Sequence, residues 1–284
     1  TGAVSDAQAL GQLAKQHNAL SIVDAVTSLG GVPLKVDEWQ LDAVYSGSQK
    51  CLSCVPGLSP VTFSQAAIDK IQSRTTPVQR WFLDQRLVLG YWSGEGKRSY
   101  HHTAPVNSLY ALHESLLILQ NEGLENAWAR HQLMHEKLKD GLQKLGFEFV
   151  VEEAYRLPQL NAVYVPEGID EAKVRAHLLE TYNLEIGAGL GDFAGKAWRI
   201  GLMGYGARRE NVTLCLGALA EVLKSHPDLD PLGSMSMRGN RHDVRYVSMP
   251  FVANLILGDT QRVLDDPEVK PSIQEIQVGD IYGE

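Results

Sequence analysis

A lysine and an aspartate each follow an apolar run, and their side chains could act together. Lys50 ends the stretch Ser-Gly-Ser-Gln-Lys at residues 46–50, directly after the run 41–45, and Asp24 ends the run 20–24. We expect the two runs to form consecutive buried strands, whose carboxyl ends border the crevice in which α/β proteins bind ligands. An amine and a carboxylate in one crevice suggest a cofactor that condenses with the amine and pairs with the anion.

Lys50 has two interpretations on position alone. It is either a surface lysine just past a strand or a Schiff-base lysine, whose amine must be deprotonated to attack a carbonyl. Asp24 favours the second, because an unpaired carboxylate at the end of an apolar run is costly to bury. Pyridoxal phosphate offers an aldehyde for Lys50 and a pyridinium nitrogen for Asp24. At a separation of ~3 Å and an effective dielectric constant of ~20, the attraction between the Asp24 carboxylate and the pyridinium nitrogen is on the order of 5 kcal/mol before desolvation.

Composition excludes several classes of protein. The chain has 284 residues, 44% of them hydrophobic, which suffices for a substantial core in one or two domains. Its net charge of -8 argues against a generally basic nucleic-acid surface. No apolar run approaches the roughly 20 residues of a membrane helix, and the first residues lack the layout of a signal peptide. We therefore expect neither nucleic acid nor a membrane as a partner.

The three cysteines do not make a disulfide framework, which fits a reducing compartment and predicts a cytoplasmic protein. Cys51 and Cys54 form a Cys-x-x-Cys motif. A zinc site needs two further ligands at suitable spacing, and the sequence has no second such pair. We predict no metal site and favour small buried thiols over a redox or metal role.

The first part of the chain has the pattern of an α/β fold. Residues 5–18 have helical spacing, residues 20–26 and 41–45 are apolar strand candidates, and a returning strand at 58–63 precedes a helix at 65–73. Alternation of helices with continuous apolar strands predicts a mostly parallel sheet with helices on its faces.

Residues 75–103 have little periodicity but many aromatic side chains. Trp81, Phe82, Tyr91 and Trp92 precede the run Tyr-His-His-Thr at residues 100–103. We interpret this region as an ordered, functional excursion and not as a linker. Exposing so many aromatic residues to water is costly, so we hypothesise that they are buried against another subunit.

Beyond Pro105 the pattern becomes more helical. A stripe of leucines predicts one helix that ends near Gly123, and a second helix ends near Gly146 with His131 on its apolar face, where a packing role is favoured over a ligand role. Strands at 147–151 and 160–165, a helix from an Asp170 cap to residue 182, strands at 184–186 and 198–202 and a helix at 210–224 then indicate a small α+β unit.

These patterns predict three segments. Residues 1–122 belong to a large cofactor-binding domain with an interdomain helix, and residues 123–228 form a small C-terminal α+β domain. Residues 229–284 remain an unassigned tail, with one strand expected at 246–257.

Six motifs in one register resemble a known family. Together they are similar to the class V, fold type I aminotransferases, and within that class to the alanine–glyoxylate and serine–pyruvate type. The motifs lie at residues 21–24, 28–31, 42–50, 56–57, 100–103 and 198–202. The resemblance implies pyridoxal 5'-phosphate as cofactor and a partial fold type I large domain with a mostly parallel sheet, followed by the small domain.

The resemblance also implies roles at the lysine and aspartate positions. Lys50 would hold the cofactor as a Schiff base and shuttle a proton between the substrate's α-carbon and C4′ of the cofactor. Asp24 would pair with the pyridine nitrogen, Gln49 would help to fix the cofactor near its phosphate, and Val26 could pack under the ring.

Three further residues take implied roles. Tyr100 and Thr103 would reach the phosphate of the partner subunit's cofactor, which predicts a homodimer with shared active sites. Arg199 would clamp the substrate carboxylate, because a guanidinium suits bidentate binding, although a structural ion pair is an alternative. Packing and turn formation are the alternatives for Tyr100 and Thr103.

The predicted function is transamination between a small amino acid, alanine or serine, and a 2-oxo acid, glyoxylate or pyruvate. Members of the family have a segment before the position of Thr1 that carries a phosphate loop and an aromatic residue stacked on the cofactor, and we expect it to be missing here. A catalytically incomplete fragment or fusion that acts as a binding or assembly module is therefore an alternative. Another class V reaction, such as desulfuration, is a further one.

Overall fold

The computed structural model describes residues 1–92 and 99–224 and the short strand Arg245–Tyr246. The elements of the N-terminal part are α1 (Ala7–Gln16), β1 (Ile22–Asp24), β2 (Ala43–Tyr45), β3 (Val61–Phe63), α2 (Gln65–Gln72), α3 (Gln85–Trp92) and α4 (Val106–Glu122). Those of the C-terminal part are α5 (Leu124–Lys144), β4 (Leu160–Tyr164), α6 (Glu171–Tyr182), β5 (Leu184–Glu185), β6 (Gly187–Ala188), β7 (Ala197–Gly201), α7 (Arg209–Lys224) and β8 (Arg245–Tyr246).

The N-terminal strands form a three-stranded sheet in the order β1-β2-β3. β1 pairs with β2 in parallel, with Asp24 opposite Tyr45, and β3 returns antiparallel to β2. A small apolar cluster of Ala25, Leu41 and Val44 lies at this sheet. The register brings the carboxyl ends of β1 and β2 to the same edge, as the sequence predicts.

The expectation that β1 is a buried strand is wrong. Ile22 is 75% exposed and Asp24 is also exposed. The physical reason is that little of the described chain packs on the face from which Ile22 projects, because strand side chains stand out of the plane of the sheet. Among the described strands, β1 also has β2 as its sole pairing neighbour. Within the described residues, β1 is an edge strand with one open flank.

A buried carboxylate ties the opposite ends of these strands together. Asp42 accepts hydrogen bonds from Lys15 Nζ at 2.6 Å, Ser21 N–H at 3.0 Å and Ser64 Oγ at 2.8 Å. Burial raises the pKa of Asp42, but the hydrogen bonds from Lys15, Ser21 and Ser64 outweigh it and lower the pKa to about 2. Asp42 therefore joins α1, β1, β2 and α2.

The C-terminal part contains the larger core. β4, β7 and β6 form an antiparallel sheet, and β5 pairs in parallel with β8. Side chains of α5, α6 and α7 pack with this sheet, and fully buried members of the core include Leu138, Leu178, Trp198 and Leu219. The Asp170 cap of α6 is confirmed, because its Oδ1 accepts the Lys173 N–H at 3.2 Å.

The strand expected at 147–151 is wrong. Only one isolated antiparallel bridge forms there, between Phe149 and Val163. Two backbone hydrogen bonds flank it, from Val150 N–H to the Ala162 carbonyl and from Tyr164 N–H to the Glu148 carbonyl. The pairing stops after one residue, so the segment lies along β4 without forming a ladder.

The leucine stripe of α4 and the aromatic residues before it are largely open to solvent. Leu109 and Leu116 are exposed on α4, whose only fully buried residue is Ser115. Trp81 stacks on His101 with ring centroids 4.0 Å apart, and both Trp81 and Trp92 are more than half exposed. We call this surface the aromatic face; it consists of α4 with residues 81–92 and 99–103.

None of the described helices combines the length and the apolar character that a membrane span needs. The strand expected at 246–257 begins with Tyr246 of β8 and otherwise lies outside the described residues. The predicted boundaries at 122 and 228 stay predictions.

Candidate active site

Asp24 is held at the end of β1 with its carboxylate facing solvent. Its Oδ1 accepts the Val26 N–H at 2.9 Å, and its Oδ2 accepts the Tyr45 hydroxyl at 2.9 Å. The pairing of Asp24 with Tyr45 in the sheet explains the second bond, because directly opposite residues lie close together. Two bonds fix the carboxylate plane and leave lone pairs for a further donor.

The loop that follows β2 is fixed by serine hydroxyls. Ser46 Oγ donates to the Ala25 carbonyl at 2.9 Å, and Ser48 Oγ donates to the Val55 carbonyl at 2.6 Å. The Oε1 atom of Gln49 lies 2.7 Å from the place that a Cβ on Gly47 would occupy. The Gln49 side chain therefore folds back over the glycine. We call residues 46–54 the lysine loop.

Lys50 is half-buried in this loop, and no carboxylate among the described residues forms an ion pair with it. The next residue ties the loop to the segment after Asp24, because Cys51 Sγ donates to the Thr27 carbonyl at 3.3 Å. Burial raises the pKa of the Cys51 thiol to about 12. Cys51, Cys54 and Cys215 are free, buried thiols, which agrees with the packing interpretation of the Cys-x-x-Cys motif.

Arg199 lies on the central strand β7 between the buried residues Trp198 and Ile200. Its Nε donates to the Ala188 carbonyl at 2.7 Å. None of the described carboxylates forms an ion pair with it, so the expected alternative of a structural ion pair is not formed within this part of the chain. One bond fixes the guanidinium plane, and the outer N–H groups keep their capacity for an anion.

The remaining predicted residues lie in two places. Val26 is half-buried two residues after Asp24, which its N–H helps to orient. Tyr100 and Thr103 share a hydrogen bond between their hydroxyls, and Tyr100 is 73% exposed on the aromatic face. Among the described contacts, their hydroxyls are joined to each other and not to Asp24 or Lys50. The structure thus brings Asp24 to the lysine loop and keeps Tyr100 and Thr103 as a separate pair of donors.

Sequence reasoning missed Tyr45. Its hydrogen bond to Asp24 raises the pKa of the Tyr45 hydroxyl and keeps that hydroxyl a donor. A signal was present, since a tyrosine that ends β2 next to residue 46 must face the residue that ends β1 once the strands pair in parallel.

Among the described residues, no group of three or more His, Cys, Asp or Glu side chains is placed so that it could bind a metal ion.

Comparison with known proteins identifies the family of this chain. The family model described as aminotransferase class-V matches residues 1–197. The chain belongs to this family. It is 43% identical over 229 residues to an alanine–glyoxylate aminotransferase of Callithrix jacchus, a match that covers 80% of this chain and 55% of that protein. It is 36% identical over 244 residues to a (S)-ureidoglycine–glyoxylate transaminase of Bacillus subtilis, covering 80% and 58%.

Solved structures of the family have the same fold. A crystal structure of an alanine–glyoxylate aminotransferase from Nostoc sp. matches with a TM-score of 0.76 and 48% identity, covering 78% of this chain and 59% of that one. The predicted α/β fold of type I is confirmed. Class V aminotransferases of the alanine–glyoxylate type depend on pyridoxal phosphate. The chain spans a little more than half the length of these relatives.

Proposed function

We propose that the protein is a pyridoxal-phosphate-dependent aminotransferase that moves an amino group between alanine or serine and glyoxylate or pyruvate. The observation that carries the proposal is the parallel register of β1 and β2, which sets Asp24 beside the lysine loop. Its relatives named as alanine–glyoxylate and ureidoglycine–glyoxylate aminotransferases support the substrate class.

The donor set fits this cofactor. Asp24 presents a fixed carboxylate with free lone pairs, and Lys50 presents an amine without a described carboxylate partner. An amide and two hydroxyls, at Gln49, Tyr100 and Thr103, suit a phosphate. When bound, pyridoxal phosphate supplies an aldehyde that condenses with amines and a ring that withdraws electrons.

The chain's own residues then have separate tasks. Asp24 would hold the ring nitrogen, Val26 would contact the ring, and Gln49 would help to hold the phosphate. A neutral Lys50 Nζ would take the α-proton of the amino acid as a general base, and it would give a proton to the α-carbon when the 2-oxo acid is converted into an amino acid. These tasks need one fixed carboxylate and one free amine at the same sheet edge.

Arg199 determines which substrates bind. Its guanidinium is held by the Ala188 carbonyl, and its outer N–H groups can bind a carboxylate with two parallel hydrogen bonds. Amino acids and 2-oxo acids both carry that carboxylate, so one residue serves both half-reactions. This is the reason that the proposal favours amino and 2-oxo acids over amines.

We further propose that the aromatic face is the interface of a homodimer. Trp81, Trp92 and Tyr110 are each more than half exposed, and they lie on or next to the segment that carries Tyr100 and Thr103. A dimer that covers these residues would let each subunit offer its hydroxyl pair to the partner's site. Equilibrium sedimentation tests this: Tyr110→Asp should weaken self-association, and unchanged association would contradict the interface.

The activity is tested with single half-reactions followed by absorbance, using alanine, serine and glycine as donors. Arg199→Ala should raise the KM for each donor by about 10-fold or more, as expected for loss of a charge-assisted bond. Arg74→Ala removes an exposed arginine that donates to the Thr76 carbonyl and is the matched control. An unchanged KM in Arg199→Ala would contradict the assigned role, and absence of every half-reaction would contradict the activity.

A further inference from the structure

A short junction joins the lysine loop to the segment that follows the Arg199 strand. Ser53 Oγ accepts the Tyr205 N–H at 2.8 Å, across 152 positions of sequence. Gly204 packs so tightly on the same side chain that a Cβ there would lie 1.8 Å from Ser53 Oγ. We call Ser53 together with the turn Gly204–Gly206 the junction.

Helix α4 holds the Ser53 end of the junction. Ser115 Oγ, on α4, donates to the Ser53 carbonyl at 3.2 Å. Ser53 has a positive φ of 58°, a left-handed conformation that few residues other than glycine adopt without cost. Such a conformation persists where the surrounding structure fixes it, and Ser53 has contacts at both its hydroxyl and its carbonyl.

Helix α5 fixes the turn from the other side. Arg130 Nη1 donates to the Gly204 carbonyl at 2.7 Å and to the Ala207 carbonyl at 3.2 Å, and its remaining donors form a two-bond ion pair with Glu122. His131 Nε2 accepts the Gly204 N–H at 2.9 Å. Gly204 also has a positive φ of 54°. Both backbone polar groups of Gly204 are therefore satisfied by neighbouring α5 residues.

We propose that Ser53 is a positioning residue that fixes the distance between Lys50 and Arg199. Ser53 lies three residues after Lys50, and the turn that it contacts begins three residues after β7, the strand of Arg199. Ser53 thus connects the loop that carries the amine to the segment that follows the strand of the guanidinium, and it holds the two groups at a fixed separation. This inference rests on the proposed function, because it assigns Ser53 to the roles of Lys50 and Arg199.

The first test needs no cofactor. Amide hydrogen exchange is measured on the full chain for the wild type, Ser53→Ala and Ser73→Ala. Ser73 is the matched control, since its hydroxyl donates to the Lys70 carbonyl away from the junction. We expect Ser53→Ala to exchange about tenfold faster in peptides that cover residues 50–55 and 203–207, and Ser73→Ala to be unchanged there. Equal protection in all three proteins would overturn the junction.

The second test measures Lys50 itself. With added pyridoxal phosphate, Ser53→Ala should form the borohydride-trapped Lys50 adduct about tenfold more slowly, while labelling of the exposed Lys173 is unchanged. The maximal rate of the alanine half-reaction should fall about as much, with its KM changed less than about twofold, because the Arg199 bond to the Ala188 carbonyl is intact. If Ser53 contributed to stability alone, Ser53→Ala would lower the melting temperature. It would then change neither the Lys50 labelling rate nor the maximal rate of the half-reaction relative to its KM.

A second variant keeps the proposal testable if Ser53→Ala does not fold. Ser115→Ala removes the bond to the Ser53 carbonyl and should change exchange and Lys50 labelling in the same direction by about threefold. Unchanged labelling in a folded Ser53→Ala or Ser115→Ala protein would overturn the proposal. If the wild type neither labels at Lys50 nor reacts with alanine, the proposed function fails instead, and the exchange comparison still decides whether Ser53 holds the loop.

Discussion

The two parts of the molecule differ in how they are held together. The C-terminal part buries a continuous apolar core, with Trp198, Leu138 and Leu219 fully removed from water. The N-terminal sheet buries a small cluster, leaves Ile22 on an open edge and relies on the polar contacts of Asp42. The residues proposed to hold the cofactor thus lie on the part with less apolar burial, whereas Arg199 lies on the part with more.

The two halves of the proposed site are therefore stabilised by different forces. The stability that comes from apolar burial depends little on pH. The stability that comes from a buried carboxylate with cationic and hydroxyl partners depends on pH strongly. The junction between the parts depends on a third contribution, the hydrogen bond that the buried His131 ring accepts from Gly204. Each of these forces can be removed separately.

Truncation of a core residue should have the largest effect. Leu219→Ala should lower the free energy of unfolding by about 2–5 kcal/mol, because it leaves a cavity in a fully buried site. Ile22→Ala, on the exposed edge of β1, should change it by less than about 0.5 kcal/mol. Urea unfolding monitored by circular dichroism measures both. Equal losses of unfolding free energy in the two variants would contradict the difference between the two parts.

Acid should next weaken the junction through His131. Its Nδ1 donates to the Ala127 carbonyl while its Nε2 accepts the Gly204 N–H, so the folded state needs the neutral ring. Burial lowers the pKa of His131 to about 4, below the usual 6.5. The unfolded chain therefore binds the proton first, and stability falls as pH drops from about 6.5 to 4, by about 3 kcal/mol in all.

His131→Gln should remove this pH-dependent part, since glutamine offers an acceptor and a donor that do not titrate. The measurement is the free energy of unfolding at pH 7 and at pH 4.5 for the wild type, His131→Gln and the control His113→Gln, whose residue is exposed on α4. The wild type and the control should lose stability together. A loss of the same size in His131→Gln would show that the ring is not held neutral.

Asp42 should act in a lower pH window and on the N-terminal sheet. Its folded pKa of about 2 lies below the ordinary 3.8, so its contribution is complete above about pH 4 and is lost as pH falls from there to about 2. Asp42→Asn should cost about 2 kcal/mol at pH 7 and progressively less below pH 4. Unfolding of the wild type, Asp42→Asn and the exposed control Asp37→Asn tests this. A cost that does not depend on pH would argue against the ionised carboxylate as its source.

Local signals predicted much of the fold. Helical spacing and the Asp170 cap gave α6, and the apolar run before residue 46 gave β2 with the lysine loop after it. The run at 147–151 has the same local character, yet it forms only one bridge with β4. Sequence also could not show that β1 has a single pairing neighbour among the described strands, because the number of neighbours is a property of the sheet and not of the run.

The candidate site was predicted where its residues follow strands and missed where contacts are distant. Asp24 and Lys50 stand out as polar residues at the ends of apolar runs. Ser53 has no such signal, because its left-handed conformation and its contact with Tyr205 exist only after the chain folds. Gly204 likewise appears in sequence as an ordinary turn glycine, and only the packed structure shows that Ser53 leaves no room for a Cβ.

We expect Lys50 to be the amine that reacts with pyridoxal phosphate, and mapping of the modified lysines tests this. The full chain is treated with pyridoxal phosphate, reduced with borohydride and digested, and the modified lysines are located by mass spectrometry, with Lys50→Arg as the control. We expect the adduct at Lys50 at concentrations of pyridoxal phosphate that leave the exposed Lys173 unmodified. Labelling of Lys50 no faster than Lys173, or the same total labelling in Lys50→Arg, would contradict the account.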